Sequence, residues 1–195
     1  MRLAAAVLLA AALLLAGCSP GKPEFRSADV TGAAFGRDFA LVDPEGRERT
    51  LADYRGKAVV MFFGYTQCPD VCPTALGTLA EARKRLGADG AKVQGLFVTV
   101  DPERDTAELL RNYVPAFDPT FVGLRGDSAA TDKVAKEFKV LFRKVPGATP
   151  DSYTMDHSAG MFVFDQQGRL RLFVSHGASA EALAHDLREL LRDAG

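Results

Sequence analysis

Apolar positions fall along this chain in runs of strand length, separated by stretches with helical spacing. Ala58 to Phe63 is unbroken and reads as a buried strand, and Val93 to Val100, interrupted by Gln94 and Thr99, is a strong strand. A shorter run, Phe39 to Val42, precedes the turn Asp43-Pro44-Glu45-Gly46, and Thr50-Leu51 is expected to return as its hairpin partner. Thr74 to Leu86 reads as a helix. Asp101-Pro102 is expected to open another helix to about Tyr113, with Asp101 as N-cap and Pro102 at the first helical position. Phe121 to Leu124 is a short strand, and Ser128 begins a helix carrying apolar Val134, Ala135 and Phe138. Met161–Phe164 and Leu170–Val174 flank Asp165-Gln166-Gln167-Gly168, which is a hairpin signal. Ala180 to Leu191 closes the chain as a helix with apolar Leu183, Leu187, Leu190 and Leu191.

Strand, turn, helix, strand, helix, antiparallel hairpin and final helix is an α/β order. It resembles the thioredoxin-like fold, a central mixed sheet flanked by helices. Open α/β sheets place their sites beyond the carboxyl ends of the strands. Beyond the end of strand 58–63 lies Gly64-Tyr65-Thr66-Gln67-Cys68-Pro69-Asp70-Val71-Cys72-Pro73, so the cysteine pair is expected to be partly exposed. Pro73 lacks a backbone N–H and suits the first position of a helix. The regular helix is therefore expected to start near Pro73, with Cys72 at its lip and Cys68 in the preceding loop.

The first residues read differently. After Met1-Arg2, Leu3 to Ala16 are uninterrupted apolar residues. That run is short of the roughly 20 residues of a membrane span and fits the core of a secretory signal. Leu15-Ala16-Gly17-Cys18 resembles a bacterial lipobox, in which the cysteine becomes the first mature residue and carries lipid. The expected organisation is a signal peptide over 1–17, a lipid-anchored linker over 18–33 containing Pro20, Gly21 and Pro23, and one domain over 34–195. Cys18 would hold that domain on the extracytoplasmic, periplasmic side of a bacterial envelope membrane. Each buried methylene of the lipid adds roughly 0.8 kcal/mol to the anchoring. The alternative is an ordinary signal peptide cleaved near Ala16 or Gly17.

Charge and cysteine count narrow the chemistry. The formal net charge is −1, which gives no electrostatic case for nucleic acid. With Cys18 lipidated, Cys68 and Cys72 are the remaining cysteines. An exported compartment permits a disulfide, but one closing so short a loop adds little stability. Redox chemistry or soft-metal binding explains the pair better. Two thiolates suit Cu(I), Zn(II) or iron–sulfur chemistry, and two are too few for zinc or a cluster, so a third ligand matters. His157, in Met155-Asp156-His157-Ser158-Ala159-Gly160, lies just before strand 161–164, in a loop that a thioredoxin-like fold sets beside the cysteine turn. His176 follows the other hairpin strand and is a weaker candidate. His185 lies inside the last helix and reads as a solvated surface residue. Met155 carries a soft sulfur, and packing is its simpler role.

The chain resembles the Sco/SenC family of copper chaperones for cytochrome c oxidase assembly. Residues 64–73 match its Gly-Tyr-Thr-x-Cys-Pro-Asp-Val-Cys-Pro block, 100–106 its Val-Asp-Pro-Glu-Arg-Asp-Thr block and 156–158 its Asp-His-Ser block. The likeness runs from about residue 35 to 192. It implies a thioredoxin-like fold and one copper, Cu(I) or also Cu(II), held by Cys68, Cys72 and His157. It implies delivery to the CuA centre of cytochrome c oxidase subunit II, and a copper-donating or thiol-reducing envelope protein as a further partner. Cys68 and Cys72 could also act as a redox pair that reduces a target's disulfide, which leaves enzyme activity an open question beside a mainly metallochaperone role.

Two other readings compete. A thiol-disulfide oxidoreductase or thiol peroxidase of the cell envelope would use the same cysteines. Classical thioredoxins space them by two residues and carry a proline before the hairpin strand; here the spacing is three and Ser158-Ala159-Gly160 stand there. A copper or redox sensor would share all three ligands. Asp101 and Asp105 read as structural or partner-contacting. Asp156 is a candidate to orient His157, with a loop hydrogen bond as the alternative, and Asp165 reads as a turn residue.

Overall fold

The structure is a computed structural model that describes residues 23–149 and 152–193. The signal peptide, Cys18 and the first linker residues expected from the sequence lie outside the described residues. The strands are β1 Ala28–Asp29, β2 Leu41–Val42, β3 Glu48–Arg49, β4 Ala58–Gly64, β5 Val93–Thr99, β6 Val122–Leu124, β7 Phe142–Pro146, β8 Tyr153–His157, β9 Met161–Phe164 and β10 Leu170–Val174. The α-helices are α1 Val71–Arg85, α2 Ala107–Tyr113, α3 Ser128–Glu137 and α4 Ala180–Arg192.

Six strands form one mixed sheet in the order β1-β10-β9-β4-β5-β6. β4, β5 and β6 run parallel, and β9 joins β4 antiparallel, as β10 joins β9 and β1 joins β10. β4 is paired on both edges, and all seven of its residues are buried. That is why its sequence is apolar throughout instead of alternating. α1 and α4 pack on each other and on β4. Phe138, just past α3, meets the rings of Phe63, Phe162 and Phe164 at 5.3 to 6.0 Å. Among the described residues no helix is long and apolar enough to cross a membrane.

Several expectations need correction. The partner of β2 is Glu48–Arg49, not Thr50-Leu51; Thr50 instead caps a short 3-10 helix over Leu51–Tyr54, with Asp53 reaching back to its backbone N–H at 2.7 Å. Asp101 does not cap a helix. Thr106 is the N-cap of α2, its side chain accepting from the Leu109 N–H at 3.2 Å; the Asp101 carboxylate is taken instead by the Arg104 side chain and the Tyr153 hydroxyl. α1 begins at Val71, two residues before Pro73. The missing N–H of Pro73 still costs little there, since the first four N–H groups of a helix have no intrahelical acceptor. The N-terminal segment is docked from Phe25, which packs against the core, inside the stretch 18–33 that reads as linker. The backbone N–H groups of Arg26 and Ser27 donate to the buried Asp186 carboxylate at 2.7 and 2.9 Å, and Ala28–Asp29 then pairs with β10 as an edge strand. The hairpin β7–β8, which the apolar pattern does not announce, forms a separate two-stranded sheet.

Candidate metal centre

β4 ends at Gly64, and the chain turns through Tyr65–Asp70 into α1. The Cys68 N–H donates to the Tyr65 carbonyl at 3.3 Å, which tightens the turn. The Cys72 N–H, one of the orphan donors of the first helical turn, points at Cys68 Sγ at 3.4 Å. The two sulfurs therefore face one another across a single turn, and both thiols are free. Cys68 is half-buried, whereas Cys72 is fully buried, so the expected partial exposure holds for one sulfur and not the other. Burial raises the Cys72 pKa well above a free thiol, and a hydrogen bond from the Tyr65 backbone only partly opposes this. At neutral pH Cys72 is a thiol, with its proton available to donate.

His157 is the last residue of β8, not a loop residue. Its Nδ1 lies 3.0 Å from the Ser158 carbonyl oxygen. A carbonyl only accepts, so that contact assigns the ring proton to Nδ1 and leaves the lone pair of Nε2 free. Nε2 stands 3.5 Å from Cys72 Sγ. The rings of Phe62 and Tyr65 meet the imidazole edge-on at 6.0 and 5.9 Å and fix its plane. Ligand atoms of Cys68, Cys72 and His157 all lie within 4.8 Å of one another. Two soft sulfurs and one unprotonated imidazole nitrogen at that separation form a donor set suited to a soft, low-coordinate metal ion.

The structure sorts the other candidates. His176 is exposed, and His185 is half-buried beside Asp186 on α4, with Nδ1 at 3.3 Å; neither joins the group of three. Met155 is buried in the core. Asp156 does not orient His157: successive residues of a strand face opposite sides, and its carboxylate pairs with Arg143 at 2.9 Å. The Ser158 carbonyl does the orienting. Asp165 organises its turn from a buried position, accepting from the Gln167 and Arg169 N–H groups and the Arg169 side chain.

Three residues outside the ligand set, Gly64, Asp105 and Arg104, hold the centre in shape. Gly64 leaves room for Cys72: a Cβ there would stand 2.7 Å from Sγ and 2.9 Å from the rings of Phe62 and Phe97. Asp105, fully buried, accepts from the Thr66 N–H at 3.0 Å, the Thr66 hydroxyl at 2.6 Å and the Thr99 hydroxyl at 2.6 Å. It ties the cysteine turn to the end of β5. Burial raises its pKa despite these donors. Arg104 pairs with buried Asp101 through Nε at 2.5 Å. The sequence held a signal for these residues in the block 100–106, but no local rule says what the block contacts.

The chain matches the SCO1/SenC family over residues 27–192. It is 36% identical over 171 residues to the mitochondrial SCO2 homolog of Bos taurus, covering 86% of this chain and 64% of that protein. The human homolog is 36% identical over 159 residues, covering 80% and 60%. The chain thus spans about three-fifths of the length of these curated relatives. Among solved structures, copper-bound ScoI of Bradyrhizobium japonicum superposes with a TM-score of 0.73 at 42% identity, covering 81% of this chain and 100% of that one. Apo Sco1 of Thermus thermophilus superposes at 0.76 and 39% identity, covering 88% and 99%. Sequence match and fold agree: the chain belongs to the SCO1/SenC family.

Proposed function

We propose that this protein is a copper chaperone that carries one copper ion on Cys68, Cys72 and His157. One observation carries the reading: the two sulfurs and the imidazole nitrogen converge within 4.8 Å. Relatives support it, since ScoI of Bradyrhizobium japonicum and yeast Sco1 are both described with copper bound, at 42% and 29% identity. Cu(I) favours soft sulfur and accepts few ligands, so a Cys2His set holds it and still allows ligand exchange with an incoming thiolate-rich site. Cys68 is the sulfur that a partner reaches, and Cys72 is the sulfur shielded behind it. Loading expels the Cys72 proton to solvent, which couples binding to pH. The acceptor in this reading is the CuA centre of cytochrome c oxidase subunit II. A lipid on Cys18 would hold the domain at the extracytoplasmic face of the envelope membrane where that subunit is assembled.

The same asymmetry of exposure favours a second activity, reduction of a target disulfide. Cys68 thiolate attacks one target sulfur, forming a mixed disulfide and releasing the other target sulfur as a thiol; Cys72 then gives up its proton, attacks Cys68 Sγ and expels the first target sulfur. The pair ends as a disulfide, and the target gains two electrons and two protons as two thiols.

The test is a Cu(I) titration of the reduced protein against a competing chelator, beside Cys68→Ser, Cys72→Ser and His157→Ala. One bound copper, weakened by each substitution, is expected. A His157→Ala chain that binds like the parent, or a parent that binds only weakly, refutes the three-ligand site and moves the weight to thiol-disulfide chemistry.

A further inference from the structure

The block Val100 to Thr106 bridges the two halves of the centre. The cysteines sit on the turn after β4, and His157 sits on a hairpin that belongs to a different sheet. From the turn 101–105, Asp105 holds the cysteine side through Thr66. The hairpin side is held from the same turn. The Tyr153 hydroxyl donates to Asp101 Oδ1 at 2.9 Å, and Lys144 Nζ pairs with Glu103 at 2.5 Å.

Arg104 reaches both halves at once. Its Nη1 donates to the Tyr153 carbonyl at 2.8 Å and to Gln67 Oε1 at 3.1 Å, one residue before Cys68. Its guanidinium carbon lies 3.5 Å over the Tyr153 ring centroid and 5.7 Å from that of Tyr65, the ring that stands edge-on to His157. A planar fork that stacks and donates in two directions is a task for arginine; lysine supplies only a point charge.

We propose that Arg104 is a positioning residue for the metal centre: its guanidinium clamps the hairpin carrying His157 onto the cysteine turn, so that the imidazole meets the two sulfurs. The clamp is a property of the metal-free protein, and only its effect on affinity rests on the copper reading.

The test uses the full chain with Arg104→Met, Arg104→Lys, His157→Ala and the double variant Arg104→Met/His157→Ala. The first readout is the ¹⁵N spectrum of the His157 ring in the reduced, metal-free protein. The parent is expected to show one fixed tautomer with the proton on Nδ1. Arg104→Met is expected to leave the proton on Nδ1, which the Ser158 carbonyl holds from within the same hairpin, and to shift the Nε2 resonance, which faces Cys72 Sγ across the gap at 3.5 Å, with Arg104→Lys between them. The second readout is Cu(I) affinity. A group that orients a ligand is worth about 10- to 100-fold in metal affinity, so Arg104→Met is expected to weaken binding about tenfold. In the His157→Ala background the same change is expected to have almost no effect. A ring spectrum unchanged by Arg104→Met, or an equal loss of affinity in both backgrounds, overturns the proposal. If the parent binds no copper, the copper reading fails while the ring spectrum still decides the clamp. Should Arg104→Met fail to fold, Arg104→Lys and Gln67→Ala carry the same comparison.

Discussion

Replacing Gly64 with alanine tests whether the absence of one methyl group sets the position of the buried sulfur. The added Cβ would stand 2.7 Å from Cys72 Sγ, 2.9 Å from Phe62 and 2.9 Å from Phe97. Ordinary contact distances are about 3.5–4.0 Å, so each of three neighbours must retreat by about 1 Å. None is a flexible chain end: Cys72 is fixed on the first turn of α1, and both rings are fully buried. Overpacking of this kind costs about 1–3 kcal/mol, and three simultaneous clashes place it at the upper end. The gain from restricting the unfolded chain, about 0.4–1 kcal/mol, offsets part, because Gly64 is not among the positive-φ glycines. The net expectation is a loss of about 2 kcal/mol, or a fall in Tm of about 4–8 °C for a domain of this size. Denaturant unfolding of the reduced, metal-free protein measures it. Repeating the change in a Cys72→Ala background removes one clash, so the loss there is expected to shrink by about 1 kcal/mol. Equal losses in both backgrounds, or no loss in either, would show that Gly64 does not hold space for the sulfur.

Asp105→Asn is expected to change the pH dependence of stability. Burial raises the carboxyl above its ordinary value of 3.8, so the protonated form is the better fit to the fold. Asp105's favourable contribution is present in full below about pH 4 and is lost as pH rises through the higher folded value. The asparagine chain should gain on the parent across that interval, measured as the difference between their unfolding midpoints from pH 4 to 7; a difference flat with pH refutes the assignment. Asp186→Ala removes the acceptor of two backbone N–H groups. Charge-assisted bonds contribute about 1.5–3 kcal/mol each, so a loss of about 3–6 kcal/mol and faster tryptic cleavage at Arg26 are expected. Unaltered cleavage would mean that β1 is held by its pairing with β10 alone.

The parts of this molecule that were legible in the sequence are those whose cause is local. β4 could be read because a strand covered on both faces has no polar position to spare. The hairpin of β9 and β10 could be read because Asp165 and Gly168 are turn residues for backbone reasons; Gly168 takes a φ of +71°. The two cysteines and His157 could be singled out because thiol and imidazole chemistry belongs to the residue type. The expected cap at Asp101 failed for the complementary reason. An aspartate before a proline is a good N-cap by local rules, but this carboxylate is taken by Arg104 and by Tyr153, 52 residues away. β7 and β8 were hidden because their exposed positions carry arginine, lysine and aspartate, and because part of their attachment, beside the buried Met155, runs through the 101–105 turn.

The same contrast explains why the block 100–106 is so specific and so hard to interpret alone. Asp105 meets Thr66, 39 residues earlier, and Asp101 meets Tyr153, 52 residues later. Between them Arg104 spans the gap from Gln67 to Tyr153. The ligand set follows from side-chain chemistry, but the distances within it depend on this bracket. A strand end supplies two sulfurs and a separate hairpin supplies the nitrogen; Phe62 and Tyr65 meet the His157 ring directly, and the 101–105 turn adds contacts on both sides of the 3.5 Å meeting. Substitutions at 101, 104 and 105 therefore act on metal geometry as well as on folding. They separate from ordinary destabilising changes by their dependence on His157: a change that acts through the bracket loses its effect on affinity once that imidazole is gone, and a change that merely loosens the core does not.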